Sequence, residues 1–288
     1  MSFSLVLTQS NSVPNTNNSV YQYQFLGGNF TMKDNEICVT QASVPYSFFN
    51  VGPSLGNTIG VSFPFATPVT QTITLTSGFY AVSDINLFFQ NYCVTNSYYA
   101  VNASGQNVYF LAFYSNATYY SNQIVFTTLP TAAQATTLGW TIPSTATWTW
   151  PTSASNMTVS FASTGSICAL LGFLPSSSYT GTGVSGGVSS SQLSTVTPLG
   201  SSVNSIVLRS NIVNNNVGNP TDILDSFPIN STFGSNINYS PAFAKWVRVA
   251  DGTYSQFTIT LSNELLQSIV AQDNRSLFTL LIRKKGAN

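Results

Sequence analysis

The chain has 288 residues, long enough for one large domain or two modest ones, yet only 6% of them are charged, against about 25% in ordinary soluble proteins. It has no histidine and a formal net charge of zero, which excludes imidazole-dependent triads and most catalytic zinc sites and leaves no basic stripe to grip nucleic-acid phosphates. Polarity comes instead from 28 Asn, 41 Ser and 34 Thr, and a hydrophobic fraction of 43% is too high for a disordered chain.

Residues 1–18 have no basic leader pattern and too short an apolar run for a signal peptide, and read as an N-terminal arm. Runs rich in Val, Ile, Thr, Phe and Tyr between Gly, Pro and Asn clusters then predict strands at Val20–Leu26, Glu36–Val44, Ile59–Phe65 and Thr70–Thr76. A helix is predicted next: Ser83 is an N-cap candidate, Asp84 lies in the first turn, and Ile85, Phe88, Phe89 and Tyr92 fall at helical spacing. Strand-like runs follow at Asn107–Tyr114, Gln123–Thr128 and Asn156–Ala162, then a short helix at Ser166–Leu171. The Ser/Gly-rich stretch 175–200 reads as a long flexible surface loop. A closing set of strands is predicted at Val203–Val213, Phe243–Val249, Ser255–Leu261 and Leu277–Lys284.

Four strands before the middle and four after it make the count of an all-β fold, a single jelly roll or eight-stranded β-sandwich. It is expected to comprise residues 19–79 and 201–288, with 80–200 a large, mostly-β insertion carrying a short helix. Alternation in FTITLS points Phe257, Ile259 and Leu261 inward, and TQTITLT does the same for Ile73 and Leu75. Ile206 and Leu208 are expected on the opposite sheet.

Little in the chain carries chemistry. Cys38, Cys93 and Cys168 have no knuckle spacing, so no metal site and no disulfide framework are expected. Asp222 and Asp225, the nearest carboxylate pair in the second half, fit a solvated helical turn better than a glycosidase pair. No phosphate-cradling loop, dinucleotide fingerprint or nucleophile elbow is present. The chain is therefore expected to be no enzyme and to need no cofactor. Trp140, Trp148 and Trp150, in GWTIPSTATWTWP, read either as a sugar-stacking platform or as aromatics packed on a β core. Arg283, Lys284 and Lys285 form a short basic terminus.

Several phrases recur in a familiar order: VPYSFFNV (Val44–Val51), GNTIGVSFP (Gly56–Pro64) and ITLTSGFYAVSDINLFFQ (Ile73–Gln90) in the first half. ALLGF (Ala169–Phe173), VNSIVLRSNIV (Val203–Val213), ILDSFPINSTFGSNINYSP (Ile223–Pro241), FTITLS and LFTLLIRKK follow in the second. In that order they resemble the pentameric minor capsid (penton) proteins of virophages, polinton-like viruses and related large DNA viruses. The resemblance spans roughly residues 36–285; the uncharged middle and the long Ser/Gly stretch depart from it. It implies a jelly roll standing in a virion capsid with its insertion outward, assembled inside an infected cell. It further implies a homopentamer at the icosahedral vertex that contacts the major capsid protein and other minor capsid proteins, with a host receptor reached through the insertion. Two alternatives stay open: a minor capsid protein away from the vertex, and a carbohydrate-binding β-sandwich of a fibre or adhesin using Trp140, Trp148 and Trp150.

Overall fold

The computed structural model describes residues 2–286. Two compact units share the chain, one made of the residues up to Phe49 and those from Ser202 onward, the other of Asn50–Ser201.

The first unit contains eight principal strands: β1 (Ser2–Leu7), β2 (Val20–Gln24), β3 (Asn35–Pro45), β4 (Ser205–Ser210), β5 (Ile223–Pro228), β6 (Asn236–Tyr239), β7 (Gln256–Ser262) and β8 (Leu277–Lys284). They form two antiparallel sheets in the orders β1-β8-β3-β6 and β2-β7-β4-β5. Strand one therefore pairs with eight, two with seven, three with six and four with five. That nesting is what a folded-over antiparallel ribbon gives when rolled into two sheets, and it defines a jelly roll.

Alternation builds the core between the sheets. Phe257, Ile259 and Leu261 of β7 and Phe278, Leu280 and Ile282 of β8 are fully buried, while Thr258 and Thr260 lie half-buried on the other face. In β3 the inward parity switches from Ile37 and Val39 to Ala42 and Val44. The register shifts there opposite Thr279 and Leu280, leaving Thr40 as the extra residue of a bulge. Tyr21 of β2 meets Phe278 of β8 edge-on at 5.1 Å, joining the two sheets. Its hydroxyl donates to Ser276 Oγ at 2.9 Å, so the buried phenol is satisfied. Ser202 Oγ donates to the Phe49 carbonyl at 3.0 Å, so the chain leaves this unit and re-enters it side by side.

Several expectations about this unit are corrected. The N-terminal arm begins as β1, whose Leu5 and Leu7 are buried and which pairs with β8 along its length. Ile223–Pro228 and Asn236–Tyr239 supply the other strands not foreseen. Within Phe243–Val249, Val247–Arg248 pairs with β3 and Val249 bridges Val213, while Phe243 is exposed. Ile206 and Leu208 are buried but share a sheet with β7, Leu208 lying opposite Leu261. The unit boundary falls at residues 49 and 50 rather than 79 and 80. Thr58–Phe63 and Val69–Thr74 are strands, but of the second unit, where Ile73 and Leu75 are buried. Alternation fixes a strand and its faces; it carries no information about the distant partner.

In the second unit, a four-stranded sheet runs in the order Ser177–Thr180, Thr158–Phe161, Thr58–Phe63, Val69–Thr74. A three-stranded sheet runs in the order Ser189–Leu193, Ser121–Thr127, Leu111–Asn116. Helix α1 (Val82–Thr95) buries Ile85, Phe89 and Cys93, with Phe89 edge-on to Phe113 at 5.9 Å. Its N-cap is Ala81 rather than Ser83, and Asp84 Oδ2 accepts the Ala81 N–H at 2.8 Å. Helix α2 (Ala132–Leu138) was not foreseen; α3 (Cys168–Leu171) was.

The Ser/Gly-rich stretch is no flexible loop. It supplies the edge strands Ser177–Thr180 and Ser189–Leu193 of both sheets. Its glycines let the backbone approach: a Cβ on Gly186 would lie 2.5 Å from Pro130 Cα, and one on Gly183 would overlap Thr128 Oγ1. Composition reported the missing side chains correctly and their cause wrongly, since close packing removes side chains as surely as flexibility does.

Candidate binding site

The tryptophans come together, but inside the second unit. Trp148 is 6% exposed. One face stacks on Phe65 at 4.3 Å, Trp150 meets it edge-on at 5.1 Å, and its indole N–H donates to the Ser97 carbonyl. Trp140 and Trp150 are half-buried and each lies 6.4 Å from the ring of fully buried Phe110. A stacking platform needs an open ring face, and Trp148 offers none.

Many charged groups of the first unit form ion pairs. Asp222 and Asp225 do not form a helical turn, because Asp225 lies within β5. Asp222 holds Arg209 through three hydrogen bonds, the shortest 2.7 Å. Asp225, its side chain 5% exposed, accepts from the Tyr239 hydroxyl at 2.8 Å and from Lys245 Nζ at 2.9 Å. Burial pushes the Tyr239 phenol up, and the hydrogen bonds with Tyr239 and Asp225 hold the Lys245 ammonium up. Tyr239 also stacks on Phe227 at 4.6 Å. Arg283 lies over the Trp246 ring at 3.8 Å and beside Glu36, which takes it out of any free basic tag.

Cys38, Cys93 and Cys168 are buried free thiols. Burial pushes the thiols of Cys38 and Cys93 up, so neither is poised as a nucleophile. Among the described residues, no group of three or more His, Cys, Asp or Glu is placed to hold a metal ion. No helix among them is long and apolar enough to cross a membrane.

Two concavities among the described residues lie in the second unit. One, of roughly 400 Å³, lies over the outer face of the four-stranded sheet among Thr58, Thr72, Ser160 and Ser178. Neighbouring hydroxyls there satisfy one another, Ser62 with Thr70 at 3.0 Å and Thr158 with Thr180 at 2.8 Å. The other, of roughly 430 Å³, opens between the start of α1 and the hairpin of Leu111–Asn116 and Ser121–Thr127. Asn86 Oδ1 on α1 accepts the Phe113 N–H at 3.0 Å and ties the hairpin to the helix. Asn122 Nδ2 donates to the Leu171 carbonyl at 3.3 Å, fixing the wall beside α3.

At the hairpin tip a single 3-10 turn, Ala117–Tyr119, leads into Tyr120, held in the left-handed region at φ 48° and ψ 45° with its side chain 79% exposed. Tyr120, Asn116 and Ser121 line the cleft opposite Tyr80 and Val82, and Ser121 Oγ has no hydrogen-bond partner. No functional role is expected of this tip from the sequence patterns above. Its available signal was Tyr114, Tyr119 and Tyr120 crowded into YSNATYYS with no charge and no aliphatic residue larger than Ala117 to pack them.

No family model matches the sequence, and a search of curated proteins finds no match. Solved structures similar over nearly the whole chain include a crystal structure of mavirus penton protein. It is 9% identical, with 98% of this chain and 97% of that one covered and a TM-score of 0.45. Another is the structure of the Sputnik virophage determined by cryo-EM, 12% identical, with 99% and 98% covered and a TM-score of 0.38.

Proposed function

We propose that the chain is a structural subunit of a viral capsid, a minor capsid protein that forms the vertex pentamer of an icosahedral DNA virus. The carrying observation is where the penton-like phrases fall. VPYSFFNV overlaps the end of β3, VNSIVLRSNIV contains β4, and ILDSFPINSTFGSNINYSP spans β5 and β6. FTITLS lies in β7 and LFTLLIRKK in β8. These five phrases follow strands β3 to β8 of the jelly roll in order, while GNTIGVSFP, ITLTSGFYAVSDINLFFQ and ALLGF fall in the second unit.

The physical chemistry fits a subunit that works by contact. In the first unit the Cys38 thiol is buried, and the Asp222 and Asp225 carboxylates are held in ion pairs. Phe243, Leu26 and Leu265 are strongly exposed there, and oligomer interfaces are where large apolar side chains find cover. A ring of five uses one head-to-tail interface repeated until it closes. The major capsid protein and other minor capsid proteins are the expected neighbours, in the virion of a virus assembled within its host cell.

Native mass spectrometry of the purified chain tests the ring. A dominant species at five times the 30.9 kDa chain mass is expected; a monomer at every concentration up to that of assembly contradicts it.

A further inference from the structure

We propose that the second unit binds a neutral saccharide in the cleft between the start of α1 and the hairpin tip at Tyr120. The cleft, roughly 430 Å³, has the size of a small-ligand site. No charged side chain lines it, and the nearby Asp84 carboxylate is engaged by the Ala81 N–H at 2.8 Å. Its ligand is therefore one that needs no counter-charge.

Chemistry narrows the class further. Aromatic rings, aliphatic carbons, an amide and hydroxyls share the lining, through Tyr120, Val82, Asn116 and Ser121. A pyranose presents the complementary pattern, with C–H faces that pack on an aromatic ring and equatorial hydroxyls that pair with amides and hydroxyls. Tyr120 keeps a solvent-facing ring despite a backbone conformation that L-residues rarely adopt. Neither packing nor backbone preference accounts for a tyrosine there, whereas presenting a rigid ring to a ligand does.

The left-handed backbone supplies a clean test. Tyr120→Gly removes the ring while installing the residue that suits φ 48°, so folding is kept. The full chain is applied to a printed array of neutral and acidic oligosaccharides, with Tyr120→Gly and Tyr119→Ala beside it. Tyr119 is 68% exposed and lies off the cleft lining. The expected result is binding to neutral glycans, at least tenfold weaker in Tyr120→Gly and unchanged in Tyr119→Ala, with no fall in the melting temperature of Tyr120→Gly. Binding to no glycan, binding confined to acidic glycans, or binding that survives Tyr120→Gly overturns the proposal. None of these results depends on whether the chain forms a pentamer.

Discussion

Gly186→Ala asks whether the Ser/Gly-rich stretch is a packed element or a slack linker. The added Cβ would lie 2.4 Å from Pro130 Cβ, 2.5 Å from Pro130 Cα and 2.9 Å from Gln134 Oε1. Carbon atoms in contact sit about 3.5–4.0 Å apart, so something must move by about 1 Å. Nothing nearby moves freely. Pro130 is a buried ring, and Gln134 Oε1 already accepts the Thr131 N–H that closes the cap of α2. The glycine's own surroundings are pinned as well, by Gly187 N–H to the Thr128 carbonyl at 2.9 Å and Thr128 N–H to the Val188 carbonyl at 2.9 Å. Overpacking of this kind costs about 1–3 kcal/mol. At about 2–4 °C per kcal/mol for a unit of this size, the melting temperature should fall by roughly 2–12 °C. Gly200→Ala is the matched control, because its Cβ meets nothing within 4 Å; it should melt with the parent or slightly above it. Thermal unfolding followed by circular dichroism reads both. If Gly186→Ala melts with Gly200→Ala, the stretch is not packed and the account of its glycines is wrong.

Asp225→Ala leaves the Tyr239 hydroxyl and Lys245 Nζ without their shared acceptor. The loss should be about 1–3 kcal/mol in denaturant unfolding; an unchanged midpoint would show the trio to be ornamental. Leu261→Ala empties a fully buried position of β7 and should cost about 2–5 kcal/mol, with a loss under 1 kcal/mol placing Leu261 outside a packed core. The phenols of Tyr21 and Tyr239 are held up chiefly by burial, so the folded state keeps protons that the unfolded chain releases near pH 10. The phenols' contribution to stability should be flat below that pH and fall as it rises further; a unit no less stable at pH 11 than at pH 9 removes that reasoning. Cys38, Cys93 and Cys168 should resist a thiol reagent in the native protein and react fully only in denaturant, and a fast-reacting thiol in the native protein is the contrary result.

What the sequence disclosed follows the range of the physics involved. Local periodicity gave Phe257, Ile259 and Leu261 their inward face, and α1 its buried Ile85 and Phe89, because both depend on neighbours a few residues away. Partner choice in an antiparallel sheet does not. TQTITLT alternates as cleanly as FTITLS, yet one builds the second unit and the other the jelly roll. β1 was hidden for a related reason: SFSLVL is too short to announce itself apart from β8, 270 residues later in the chain. The Thr131/Gln134 capping box and Gly139 of α2 were legible and went unread. At the candidate site, tryptophan drew attention by size and rarity, but large aromatics close cores as readily as they greet ligands. Tyr120 is distinguished by exposure and backbone conformation, and neither quantity is written in a one-dimensional chain.

Whether the chain stands at a capsid vertex can be read from a three-dimensional cryo-EM reconstruction of the purified virus particle. The jelly roll of β1–β8 should fit the density around each five-fold axis, five copies to a vertex, against the major capsid protein. Vertex density that accepts a different fold, or particles from which this chain is missing, would contradict that placement.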